Sequence, residues 1–224
     1  MSNISINLAK FQTELAAVCA KSGRDRSGIT VVAVTKNRSP AEINELLENG
    51  IAAIGENRLQ EFLAKKDELG AAEKHFIGRI QSNKAREIAR EFDVVESVSS
   101  LKIAEILNDA RRDVARNVSP TSQNPLPIFL QVNLAREPQK DGFLAEDLAA
   151  AIAEIAEFEN LKIVGLMTIG LLENENRTRE IFLEGKKLCD EFGLAKLSAG
   201  MSDDWKIAVA CGATELRIGR MLFE

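Results

Sequence analysis

The stretch VVAVTKNRSPAEINELLENG, residues 31–50, sets the pattern for the whole chain. Its opening residues form a β-branched apolar run of the kind found in parallel strands covered on both faces. Ser39-Pro40-Ala41-Glu42 then supplies a capping serine, a proline at the first helical position and a glutamate three residues after the serine, which together open a helix. Gly50 closes that helix. A strand, a turn and a helix follow one another directly, and Lys36 stands at the strand's C-terminal end, just ahead of the helix.

The same order repeats on both sides. Upstream, Ile4, Leu8, Phe11, Leu15 and Val18 form the apolar stripe of an amphipathic helix that precedes the first strand. Downstream, IAAIGEN (51–57), KHFIG (74–78), DVVESV (93–98), IFLQVNL (128–134), LKIVGLMTIG (161–170), AKLSAGMS (195–202) and ELRIGRMLF (215–223) read as further strands, each of the first six followed by a helical segment. Residues 119–127, SPTSQNPLP, read as a surface loop, because the alternation resumes immediately after them. Such repetition implies right-handed crossovers and parallel strands. Eight units in 224 residues predict a single (β/α)₈ TIM barrel over 1–224 with an extra N-terminal helix.

Composition narrows the function classes. The formal net charge of −5, with both signs interspersed, provides no basic stripe for nucleic acid. No leader and no long apolar run is evident, so a soluble cytoplasmic protein without a membrane role is expected. Three widely spaced cysteines signal neither a disulfide framework nor a thiolate metal site, and read as small buried side chains. A single histidine, His75, is too few for a catalytic zinc site.

In a barrel, chemistry collects where the strands' C-terminal ends meet the following loops. Those ends carry Lys36, Asn57, Gly78, Asn133, Thr168, Gly170, Ser202, Gly219 and Arg220, which should share one mouth. A lysine desolvated at the rim can act as a neutral amine on a carbonyl, although a rim lysine that simply reaches water is the plainer reading. Ser202, Asp203 and Asp204 suit a helix N-terminus that can meet an anion, and Gly219 lets backbone approach a ligand. Loops after strands seven and eight often build a phosphate site in this fold. Arg217, two residues before Gly219, shares its face and needs a partner, either an acidic neighbour such as Glu56 or a cofactor nitrogen. An amine for an aldehyde, a phosphate cradle and an arginine for a ring nitrogen together describe pyridoxal 5′-phosphate (PLP).

AVTK, GENRLQEF, HFIGRIQSNK, VNLAREPQKDGF, GLMTIG, LSAGMSDDW and ELRIG, over residues 4–223, resemble in order and spacing the pyridoxal phosphate homeostasis protein family, whose members share the barrel of the alanine racemase N-terminal domain. The resemblance implies that Lys36 holds PLP as an internal aldimine, that Ser202 with the backbone at Gly219 and Arg220 holds the phosphate, and that Arg217 addresses the pyridine nitrogen. It places Asn57 and Met201 near the ring, and His75, Gly78, Gln81, Ser82, Asn83 and Lys84 in a signature at the cofactor mouth. Two positions depart from the family: Arg220 stands where threonine is common, and Glu224 where glycine is common.

Racemisation of the alanine racemase type needs a second base, there a tyrosine, and this chain has none. An arginine at the ring nitrogen also leaves that nitrogen unprotonated, a poor electron sink. The expectation is therefore a monomeric PLP carrier that takes part in PLP homeostasis and serves PLP-dependent apoenzymes. A racemase or lyase of narrow specificity is the alternative.

Overall fold

The computed structural model describes residues 2–117, 124–171 and 174–224. Its strands are β1 Thr30–Val34, β2 Ala53–Glu56, β3 Glu73–Phe76, β4 Val94–Val98, β5 Leu126–Gln131, β6 Leu161–Met167, β7 Lys196–Ser198 and β8 Glu215–Ile218. They pair in chain order, all parallel, and β8 returns to β1 to close the barrel. The helices are α1 Asn3–Lys21, α2 Pro40–Glu48, α3 Leu59–Leu63, α4 Ser82–Glu91, α5 Leu101–Asn117, α6 Leu148–Ala156, α7 Glu175–Glu191, α8 Trp205–Ala210 and α9 Arg220–Phe223. The TIM-barrel expectation holds. Of the loop read at 119–127, residues 119–123 lie outside the described ones. Among the described residues, no helix is long and apolar enough to cross a membrane.

Local rules account for the helix ends. Ser39 and Glu42 form the expected capping box, with the Ser39 N–H donating to Glu42 Oε2 at 2.8 Å and the Glu42 N–H to Ser39 Oγ at 3.4 Å. The eighth strand is shorter than its apolar run suggested. It ends at Ile218, and residues 220–223 turn into α9, which buries Leu222 and Phe223. A four-residue helix leaves the seam between β8 and β1 thinly covered, and α1 fills it. Phe11 of α1 meets Trp205 of α8 edge-on at 5.1 Å, Lys206 pairs with Glu14 at 2.7 Å, and Ser2 and Ser5 reach Glu45 of α2. Both rings are almost wholly buried, and truncating either would cost about 3–5 kcal/mol.

Alternation along the strands separates two environments. Residues facing the helices carry the main core, including Phe76, which packs on Phe92 at 5.2 Å, with Phe62 behind at 4.5 Å. Residues facing the barrel axis include a small apolar plug of Val94, Phe129 and Met167. His75 is in register with Gly55 and Val94, Ser198 with Met167, and Arg217 with Val32, so the same face also carries polar side chains. All three cysteines are buried and free, as expected, and burial pushes the Cys189 thiol up to about 11.

Candidate functional site

Four neighbouring strands, in the spatial order β7, β8, β1 and β2, deliver the predicted residues to one arc of the C-terminal rim. Lys36 follows β1 by two residues and is exposed. It opens a turn in which the Arg38 N–H donates to the Thr35 carbonyl at 3.2 Å; alternation continued from Val32 and Val34 would aim it to the barrel side, whereas Thr35 turns toward the helices. The strand alone does not dry Lys36, as the plainer reading of a rim lysine expects. On the β8 side, a Cβ built on Gly219 would lie 3.4 Å from Val34 Cβ. Packing within the protein therefore leaves room for a side chain at 219. On the β2 side, Gly78 presses so closely on Asn57 that a Cβ would sit 2.1 Å from the Asn57 carbonyl oxygen. Any larger residue at 78 would push the β2 exit aside.

The β7 loop joins the arc through two links. Arg217 N–H donates to the Gly200 carbonyl at 2.9 Å, and Arg220 Nη2 meets Asp203 Oδ2 at 2.5 Å. β7 stops at Ser198, short of the expected Ser202, so Met201 and Ser202 belong to a turn. Asp204 occupies the N-cap position of α8 yet caps nothing with its side chain, which instead accepts from the Met201 N–H at 2.6 Å and closes that turn. Met201 is exposed and Ser202 half-buried. Asn57 is half-buried, with its Oδ1 sealed from solvent and lacking a hydrogen-bond partner among the described residues.

Arg217 is buried, and its partner is not the Glu56 suggested by sequence. Nη1 donates to Ser198 Oγ at 2.5 Å and Nη2 to the Thr168 carbonyl at 3.0 Å. Ser198 Oγ donates in turn to Glu96 Oε2 at 2.5 Å, and the other Glu96 oxygen meets His75 Nδ1 at 2.6 Å. His75 Nε2 reaches Glu73 at 3.0 Å, the first residue of β3, whose side chain is 53% exposed at the opposite end of the barrel. His75 thus lies inside the barrel and not in the mouth, a correction to the signature reading. Burial alone would depress its pKa, but the two flanking carboxylates outweigh that and hold it up at about 9. Burial also opposes the ionised form of Glu96, yet His75, Arg217 and Ser198 keep its pKa below the ordinary value. For Arg217, burial pulls downward against the opposing pull of Glu96, Asp204 and Glu215.

Glu56 faces the helices instead. Its Oε1 accepts from Lys65 Nζ at 2.6 Å and from Thr35 Oγ1 at 2.5 Å, and burial raises its pKa against both bonds. Lys65 Nζ also donates to the Thr35 carbonyl at 2.8 Å, and Glu61 accepts from the Asn37 N–H. Asn37 holds a left-handed backbone, φ 58°. The residues on either side of Lys36 are therefore tied to α3 and the segment after it.

Other expected mouth residues divide. Gln81, Ser82, Asn83 and Lys84 follow β3 at the C-terminal face, on the first turns of α4. The Asn133 side chain is spent on its own loop, donating to the Glu137 and Lys140 carbonyls at 2.9 and 3.0 Å. Sequence reasoning missed Glu96, Ser198 and Lys65. A signal existed for the first: Glu96 interrupts the apolar run DVVESV, and an acid within a buried strand requires a buried cation.

Residues 6–224 match the family model described as alanine racemase, N-terminal domain. The pyridoxal phosphate homeostasis protein of Pseudomonas aeruginosa is 39% identical, the match spanning 100% of this chain and 96% of that protein. PipY of Synechococcus elongatus, solved without PLP, superposes with a TM-score of 0.87 at 32% identity over 99% of this chain and 100% of PipY. The structure of PipY with PLP bound gives 0.85 at 31% identity over the same shares.

Proposed function

Because the chain belongs to the pyridoxal phosphate homeostasis protein family, on the barrel of the alanine racemase N-terminal domain, we propose that it binds PLP in the arc between β7 and β2 and holds it on Lys36 as a Schiff base. Lys36 Nζ forms a C=N bond with the aldehyde carbon, and the carbonyl oxygen leaves as water, so no oxidant or reductant is needed. The bound group supplies the reactive aldehyde; the protein supplies the amine, the anion cradle and the ring contacts. Ser202 and the backbone at Gly219 and Arg220 are assigned to the phosphate, Arg217 to the pyridine nitrogen, and Asn57 and Met201 to the ring's surroundings.

The observation that carries this reading is the meeting of β7, β8, β1 and β2 at one arc of the rim, with Lys36 exposed in it. Two details of the mouth fit the group. Packing leaves the space beside Gly219 open, as close backbone approach to a phosphate needs, and Asn57 Oδ1 is a buried acceptor that lacks a donor among the described residues. The departure at Arg220 fits contact through its backbone N–H, since the guanidinium is engaged with Asp203.

The physiological role we assign is a carrier: a cytoplasmic monomer that sequesters PLP and yields it to PLP-dependent apoenzymes. Racemisation is disfavoured by the absence of tyrosine and by a ring nitrogen facing a guanidinium donor. Adding PLP to purified protein should produce a yellow species in wild type but not in Lys36→Ala. An equally yellow Lys36→Ala would remove Lys36 from the assignment, and exchange of amino-acid α-hydrogens with solvent deuterium would move the protein into the enzyme class.

A further inference from the structure

Resting on that reading, we propose that Glu96, with Ser198 and His75 on either side of it, is a positioning residue for the PLP site: it fixes the orientation of Arg217, the side chain assigned to the pyridine nitrogen. A guanidinium presents five donors in one plane, and two of them are committed here, Nη1 to Ser198 and Nη2 to the Thr168 carbonyl. Those two bonds anchor the plane at one edge and leave the remaining donors for a ligand. Ser198 Oγ donates its proton to Glu96, which turns its lone pairs toward the Arg217 donor. Glu96 therefore sets the direction of the bridging hydroxyl as well as balancing the arginine's charge, with its Oε2 3.9 Å from Nη1.

The chain extends past the site toward the other face of the barrel. His75 is held between Glu96 and Glu73, and Glu73 reaches solvent. The charged groups facing this line are Glu73 and His75 on β3, Glu96 on β4, Lys196 on β7, Asp204 at the N-cap of α8, and Glu215 and Arg217 on β8, with Lys196 paired to Glu215 at 2.7 Å. Loss of the proton on His75 leaves Glu96 dependent on Arg217 and Ser198 alone. The Arg217 guanidinium is thereby coupled to a histidine whose pKa is held up at about 9.

The experiment loads wild type, Glu96→Gln, Ser198→Ala, His75→Gln and Arg217→Lys with PLP. Absorbance is recorded across the alkaline range, and borohydride reduction with peptide mass analysis reports attachment at Lys36. We expect every variant to keep the Lys36 adduct. Glu96→Gln and Ser198→Ala should shift the visible band in the direction seen for Arg217→Lys and bind PLP about tenfold more weakly, the effect of losing a hydrogen bond to a charged group. A spectral inflection near pH 9 in wild type should be absent from His75→Gln. Wild-type bands and affinity in both Glu96→Gln and Ser198→Ala overturn the inference while leaving the PLP reading intact. An unaltered spectrum in Arg217→Lys overturns it as well. No adduct in wild type overturns both. Should Glu96→Gln fail to fold, Ser198→Ala decides, since it removes only the bridging hydroxyl.

Discussion

Two buried ionic clusters flank the mouth, and they are built in opposite ways. Inside the barrel, Glu73, His75, Glu96, Ser198 and Arg217 form a line in which each buried charge has an opposite charge or a hydrogen-bond partner on both sides. Outside it, between sheet and helices, Lys65 pairs with Glu56 at 2.6 Å and with the more exposed Glu61 at 3.5 Å, and Glu56 Oε2 has no hydrogen-bond partner among the described residues. The inner line ends on the side chain assigned to the cofactor ring. The outer pair ends on backbone, at the Thr35 carbonyl next to Lys36. The contrast suggests a division of labour under the proposed function: the inner cluster would set the direction of the Arg217 donors, and the outer one ties down the loop that carries Lys36.

Perturbing each region should therefore fail differently. The largest effect is expected from Lys36→Ala, which should abolish the coloured PLP complex and leave stability unchanged, because the side chain is exposed; spectra and urea melts of the same samples check both halves. Next, Lys65→Met should destabilise the fold by about 3–5 kcal/mol by stranding Glu56 as an unpaired buried carboxylate. Lys65→Met combined with Glu56→Gln should recover a large part of that loss in urea denaturation. A double variant no more stable than Lys65→Met would mean that the outer pair is not the source of the cost.

A smaller effect belongs to pH. The folded state holds the His75 proton more tightly than the unfolded chain, with a pKa of about 9 against the ordinary 6.5. This contribution, roughly 3 kcal/mol at most, is complete below pH 6.5, declines as pH rises through that window, and is gone above about 9. The stability difference between wild type and His75→Gln should shrink accordingly between neutral and alkaline buffer. A constant difference would place His75 outside the charge line. Smallest of all is Arg220→Thr: the Arg220–Asp203 pair is exposed, so stability should change by less than about 1 kcal/mol, and phosphate affinity should survive if contact there is through backbone.

Much of this was legible in the sequence, for identifiable reasons. Period-two and period-3.6 patterns, punctuated by Ser39-Pro40 and Gly50, encode a barrel locally, and a parallel order of strand and helix leaves few topologies open. The rim positions Lys36, Asn57, Ser202 and Gly219 follow from the same counting, because strand ends in this fold share one face. What the sequence hid were the pairings. Glu56 and Glu96 sit alike within apolar strands, and only the register shows that one faces the helices and Lys65, and the other the axis and His75. His75 appeared to belong with the mouth because the signature around it is continuous, yet one strand can start its signature inside the barrel and finish it at the rim. The sequence pattern prolongs the eighth strand because Met221, Leu222 and Phe223 are as apolar as a strand, whereas after the turn at Gly219 they form a helix.

The most direct test is to reduce the PLP-loaded protein with borohydride and map the modified peptide. The account predicts a single phosphopyridoxyl group, on Lys36, retained when Glu96, Ser198 or His75 is substituted. An adduct spread over surface lysines, or an intact unmodified Lys36 in a protein that still binds PLP, would contradict it.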